Sequence, residues 1–150
     1  MWFRVFATDE EAPQPSDLLA QVQADGLAIR GDFVGEGRGW VRVDFSFDEH
    51  PAPVRVDRYL AGEEDVRENL NAWAAWLETV DGNLYVNRLM QHMIGTQQVF
   101  ALEVPRDDAE GVVGRFAMEL CQYLARATHG VFQVDSRGFF APDGKLLVPE

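Results

Sequence analysis

Polar and apolar residues alternate with period two over residues 27–34, 40–47 and 53–60, which predicts three successive β-strands. The polar positions carry one repeated string, Arg-x-Asp: Arg30-Gly31-Asp32, Arg42-Val43-Asp44 and Arg55-Val56-Asp57. Side chains two apart on a strand share a face. Each strand therefore offers one cation and one anion to one side of a sheet, and Gly31, Val43 or Val56 to the other.

The connections set an expected register. A hairpin through Gly35-Glu36-Gly37-Arg38-Gly39, centred on Gly37, puts Arg30 opposite Asp44 and Asp32 opposite Arg42. A turn centred between Glu49 and His50 puts Asp44 opposite Arg55 and Arg42 opposite Asp57. The result is an ion-pair ladder of two rows, Arg30/Asp44/Arg55 and Asp32/Arg42/Asp57. Behind it the same alignment stacks Phe33 on Val41, Ile29 on Phe45, Leu27 on Phe47, Val43 on Val56 and Phe45 on Val54. Slipping one strand by one residue would invert both faces. Each opposite-charge pair contributes roughly 0.2–1 kcal/mol, so the ladder specifies register more than it stabilises. Val34, Trp40 and Tyr59 form an apolar row beside Asp32/Arg42/Asp57, and Ala28, Ser46 and Pro53 lie beyond the other row.

Elsewhere the pattern changes period. Residues 2–7 read as a strand, followed by a Pro-punctuated loop and a short helix with Ser16 as N-cap, Leu18, Leu19 and Val22 on its apolar side, and Gly26 at its end. From 63 to 80 the spacing is helical, with Val66, Leu70, Trp73, Leu77 and Val80 on one stripe and Glu63, Glu64 and Asp65 where the helix dipole favours anions. Asp81-Gly82-Asn83 breaks it, and a second helix through Leu89, Met90, Met93 and Ile94 ends at Gly95. Residues 98–104 read as a strand. Asp107 and Glu110 suit a capping box for a helix with Val113, Phe116, Ala117, Leu120, Leu124 and Ala127 on its stripe, closed by Gly130. Short strands at 131–134 and 146–148 follow, with Phe139 and Phe140 between them.

The expected fold is one α+β domain over residues 1–150. Its sheet is mostly antiparallel and built from two β-α-β-β units, the first with an extra strand, with an antiparallel helix pair inserted between them. The repeated element order suggests duplication.

Composition narrows the function classes. A chain of 150 residues with 47% hydrophobic positions buries a core without metal or disulfide help. Its single cysteine, Cys121, falls on a helical stripe and reads as a small buried hydrophobe. Neither a basic leader nor an apolar run of membrane-spanning length is present, so a cytoplasmic location with no membrane contact is expected. Acids outnumber bases 25 to 13, a net charge of −12, which repels phosphate backbones and argues against nucleic acid as a partner. The same charge suits a basic protein partner.

Motif chemistry is sparse. His50, His92 and His129 are far apart and none belongs to a ligand-spaced set, so no metal site and no cofactor is expected. No serine stands in a G-x-S-x-G elbow, and the glycines at 35, 37 and 39 precede a strand rather than a helix, unlike a phosphate-cradling loop. Asp32, Asp44 and Asp57 are neighbours on the expected sheet, but the arginine beside each favours the ionised form, the wrong direction for a general acid. No catalytic residue is assigned, and enzymatic activity is not expected.

The ending Ala127-Thr128-His129-Gly130-Val131-Phe132-Gln133-Val134-Asp135, with Gly138-Phe139-Phe140 and Asp143-Gly144, looks like the tails of many small bacterial α+β proteins. In element order the two β-α-β-β units resemble the effector-binding domains of some bacterial transcription regulators. That resemblance implies a cleft between the units for amphipathic ligands; the helical insert departs from it, and so does the lack of a DNA-binding partner domain.

Two readings lead, and a third, an enzyme with an unfamiliar site, would require a deep polar cleft holding a carboxylate with raised pKa. The first is a non-enzymatic interaction module of inhibitor or immunity type for a basic protein. The second is a small-ligand-binding domain using Trp40, Arg42, Asp57, Tyr59 and Asp32 on the charged, aromatic face, provided that the Trp73/Trp76 helix does not cover it. Exposure of Trp2, Trp40 or Trp76 beside other apolar residues would favour a homodimer.

Overall fold

The computed structural model describes residues 1–24, 29–48 and 50–150. Eight strands form one sheet: β1 (Trp2–Ala7), β2 (Ile29–Val34), β3 (Arg42–Phe47), β4 (Val54–Leu60), β5 (Gln98–Glu103), β6 (Gly130–Val134), β7 (Gly138–Phe140) and β8 (Leu146–Pro149). Their spatial order is β2-β3-β4-β5-β1-β6-β7-β8, and every neighbouring pair is antiparallel. Four helices join them: α1 (Pro15–Gln23), α2 (Glu64–Glu78), α3 (Val86–Gly95) and α4 (Val112–Ala127). This is the α+β architecture expected, with one strand more, because Phe139 and Phe140 belong to β7.

Both halves now read β-α-β-β-β, yet the sheet order does not repeat. The first meander, β2-β3-β4, runs from an edge inward and ends beside β5. The second, β6-β7-β8, starts beside β1 and runs outward. The two first strands, β1 and β5, pair with each other at the centre. The suggestion of duplication stops at element order.

One face is packed by α1 and α4. Phe3, Val5, Ala7, Val43, Phe45, Val56, Phe100, Leu102, Phe132 and Val134 project from the strands onto Leu18, Val22, Val113, Phe116, Ala117, Leu120, Cys121 and Leu124. The opposite face is covered only in part. The antiparallel pair α2–α3 seats Val66, Leu70, Leu77, Leu89 and Met93 on Phe6, Val99, Phe139 and Val148, that is, over the β1, β5, β6, β7 and β8 region. Trp73 lies edge-on to Phe6 and Phe139, and Trp76 stacks on Phe139. The Trp73/Trp76 helix therefore does not cover the charged strands. Apolar side chains gain by leaving water, whereas roofing Arg42, Asp44 and Arg55 would strip charges of solvent at several kcal/mol each.

Local details differ from expectation at the starts of two helices. Pro15 opens α1 with Gln14 as N-cap, and Ser16 lies inside the helix. Gly26 is outside the described residues, as are Leu27, Ala28 and Glu49 with the pairings assigned to them. No Asp107/Glu110 capping box forms: Arg106–Asp108 make a 3₁₀ turn, Gly111 is the N-cap of α4, and Glu110 pairs with Arg137. Gly114 permits this arrangement, since a Cβ there would stand 1.9 Å from the Ala109 carbonyl oxygen.

Candidate functional site

The register of β3 with β4 is the expected one: Arg42 faces Asp57 and Asp44 faces Arg55. Arg55 Nε donates to Asp44 Oδ1 at 2.9 Å and Nη2 to Oδ2 at 3.3 Å. This forked contact outweighs partial desolvation and, helped by the positive charges of Arg55 and Arg42, holds the Asp44 carboxyl below its ordinary value.

The register of β2 with β3 is not the expected one. Asp32 faces Asp44, Val34 faces Arg42 and Arg30 faces Ser46. The pairing centre moves from Gly37 to Arg38, so every polar side chain keeps its face but changes its partner. On the reverse face Phe33 meets Val43 and Ile29 meets Phe47. The cause is the loop. Gly35 adopts φ +111°, where a Cβ would stand 2.6 Å from the Trp40 backbone, and the connection, with its 3₁₀ turn at Gly37–Gly39, takes up two more residues than expected.

Trp40 is the residue this loop moves. Rather than flanking the charged rows it is fully buried on the α1/α4 face, edge-on to Phe33 and 5.6 Å from the Phe100 ring, with its Nε1 donating to the Pro13 carbonyl at 2.8 Å. Val41 is exposed in its stead. Trp40 therefore cannot line a ligand site on the charged face. Of the other residues assigned to that site, Arg42 and Asp57 are adjacent, Asp32 is exposed at the sheet edge, and Tyr59 lies one row further along.

One row of side chains continues from the ladder across the whole sheet: Val34, Arg42, Asp57, Ala101, Arg4, Gln133, Phe139 and Val148. The small Ala101 interrupts its polar part. Beside it α2 rises from the sheet, and the two enclose a groove of about 330 Å³. Tyr59, Val99, Ala101 and Phe6 form its floor, Asp65, Val66, Asn69, Leu70 and Trp73 its wall, and Trp2 and Arg4 its far end.

Arg4 is the organised charge in this groove. Its Nη1 donates to Gln133 Oε1 at 2.7 Å and to Asp135 Oδ1 at 2.8 Å. Its guanidinium carbon lies 5.5 Å from the Trp73 ring and 5.9 Å from that of Trp2, within cation–π range of both. Asp135 also accepts the Trp2 backbone N–H at 2.9 Å. Burial alone would raise the Asp135 carboxyl, but the Arg4 and Trp2 hydrogen bonds, the Arg4 charge and Gln133 together lower it. Gln133 is fully buried and donates onward to Glu150 at 3.0 Å. At the other end of the groove burial raises the Tyr59 hydroxyl, and the negative charges of Asp57, Glu63 and Asp65 add to the effect.

Trp2, Arg4, Trp73, Gln133 and Asp135 were not assigned to a site from sequence. One signal was available: Arg4 is the only charged residue within Trp2–Ala7, a run otherwise suited to a central strand. Its partner Asp135 lies 131 residues away, where no local pattern connects them.

The histidines stand apart from this groove and from one another. His50 faces Asp108 and the Ala52 carbonyl, His92 faces the Phe6 carbonyl, and His129 faces Asp9. Among the described residues no three His, Cys, Asp or Glu side chains are placed to share a metal ion. Burial raises the thiol of the fully buried Cys121 far above its ordinary value. No helix is long and apolar enough to cross a membrane among the described residues. Compared with protein-family models, curated proteins and solved structures, the chain matches none.

Proposed function

We propose that this chain is a non-catalytic interaction module that engages a basic protein through the open β2–β4 half of its charged face. The observation that carries the reading is the direct apposition of Asp32 and Asp44 on neighbouring strands. Like charges directly opposite in a sheet destabilise it. Asp44 has Arg55, but no ion pair among the described residues includes Asp32, which is exposed.

The mismatch has a second half. With Val34 in place of Asp32 across from it, Arg42 has a buried Nε with no hydrogen-bond acceptor among the described residues. A partner cation entering between Asp32 and Asp44 relieves the first defect. Exposed Val34 and Tyr59 supply apolar contact at the margin of this patch. Excess acid over the whole molecule steers a basic partner towards it. The two carboxyls with resolved shifts, Asp44 and Asp135, are both lowered, which favours binding over proton donation.

Affinity capture from cells of the source organism tests the reading, with wild type and Asp32→Asn as baits at low and moderate salt. A basic protein retained by wild type at low salt, released as salt rises and lost with Asp32→Asn is the expected result. Recovery of no basic partner, or equal recovery with both baits, overturns it.

A further inference from the structure

Independently of that interface, we infer that the groove between α2 and the sheet is a binding site for a small monocarboxylate with a flat apolar body, its carboxylate seated on Arg4. The anchor is already built. Gln133 and Asp135 fix Nη1 of Arg4, and the Trp2 and Trp73 rings flank the guanidinium. Among the described residues its Nε and Nη2 carry no hydrogen bond, which leaves one edge of the planar fork for a carboxylate. Asp135 offsets the charge of Arg4 through Nη1, so what is left for a ligand is the directed pair of N–H donors on the other edge rather than surplus charge. A guanidinium immobilised in this way binds without first giving up side-chain freedom.

The rest of the groove selects the body of the ligand. Its floor of Phe6, Val99 and Ala101 and its wall of Val66, Leu70 and Trp73 present hydrocarbon and aromatic surface. A volume of 330 Å³ stands at the lower end of the roughly 300–1,000 Å³ that small-molecule clefts span, the size of one ring with a short side chain. Ala101 makes this room. It occupies the central position of a row whose neighbours are Asp57 and Arg4, and a larger residue there would fill the floor. At the opposite end Asp65, with Asp57 and Glu63 acting on Tyr59, repels a second negative charge. The site thus favours a single carboxylate over phosphate or a dicarboxylate. The wall belongs to α2, part of the inserted helix pair.

The probe is 3-phenylpropionate, with 3-phenylpropanamide and inorganic phosphate as comparisons, followed by calorimetry and by tryptophan fluorescence. Wild type is expected to bind the acid saturably, the amide at least roughly tenfold more weakly because it cannot form the charge-assisted pair, and phosphate not at all. Ala101→Leu is expected to lose binding while keeping its circular dichroism and thermal midpoint. Arg4→Met is expected to lose the preference for acid over amide; should that variant fail to fold, Ala101→Leu and the acid–amide comparison decide. Absence of saturable acid binding up to about 10 mM, equal affinity for acid and amide, or unchanged binding by Ala101→Leu would each overturn the assignment.

Discussion

Asp32 on β2 stands directly opposite Asp44 on β3, although an arginine lies two residues from each along its own strand. This apposition costs stability, and replacing the unpaired member should recover it. Asp32→Arg is expected to stabilise the fold by about 0.2–1 kcal/mol, towards the low end because the site is exposed to solvent. Asp32→Ala should recover less. Urea unfolding at low salt measures both, and the advantage of arginine over alanine should shrink as salt screens the pair. A variant Asp32→Arg less stable than Asp32→Ala would mean that Asp44 does not meet this side chain.

The two hairpins explain why one register was legible and the other was not. For β3 and β4 a turn position and an alternating pattern agree, and Arg42/Asp57 and Asp44/Arg55 face one another as read. For β2 and β3 the glycines at 35, 37 and 39 permit more than one loop geometry. Which one forms is decided by Trp40, whose burial against Phe33 and Phe100 draws the chain under the sheet. That is a tertiary preference, invisible to a pattern of charges. Likewise the stripe of α2 announces that Val66, Leu70 and Leu77 need cover. It does not say which half of the sheet provides it. Arg4 was conspicuous within an apolar strand, but its meaning depends on Asp135 and Trp73, brought together only by the sheet order.

Trp40 should therefore be a major determinant of stability rather than of binding. Trp40→Ala is expected to cost about 3–5 kcal/mol, the range for truncating a buried large aromatic. Trp40→Phe keeps most of the packing but leaves the Pro13 carbonyl without its 2.8 Å donor, at a cost of about 1–3 kcal/mol. Chemical denaturation separates the two. A Trp40→Ala variant within about 1 kcal/mol of wild type would place this indole outside the core.

Two histidines should respond to pH with opposite sign. His50 is raised by its hydrogen bond to the Ala52 carbonyl and then by Asp108, against a small desolvation effect. Its stabilising contribution is full below the ordinary imidazole value and disappears as pH rises through the raised native value. His92 is lowered by burial, partly offset by its contact with the Phe6 carbonyl. Its contribution is present above the ordinary value and is lost as pH falls through the lowered native one. Imidazole titration by NMR should find His50 above and His92 below the ordinary value. The stability profile of His50→Gln should diverge from wild type on the acid side, and that of His92→Gln should lose the acid-side decline. Reversed titration order would refute both assignments.

The segment between β1 and α1 is tied to the sheet in part by the partly buried Arg58 and the fully buried Gln98. Arg58 Nε donates to Gln98 Oε1 at 2.5 Å, its Nη1 to the Trp40 carbonyl and its Nη2 to the Glu10 carbonyl. Gln98, fully buried, donates its amide to the carbonyls of Asp9 and Glu11 at 2.8 and 3.0 Å. Removing either side chain leaves partly buried acceptors without their donors, which costs about 1 kcal/mol. The effect should also be local, because the carbonyls of Asp9 to Glu11 lose their side-chain ties to β4 and β5 while α1 remains packed on β2. Gln98→Leu and Arg58→Met should each lower the unfolding midpoint, and limited proteolysis should cut first within residues 8–14. Since the two side chains share one network, the double variant should lose less than the sum of the single losses. Strict additivity, or cleavage elsewhere in the chain, would show that they act separately.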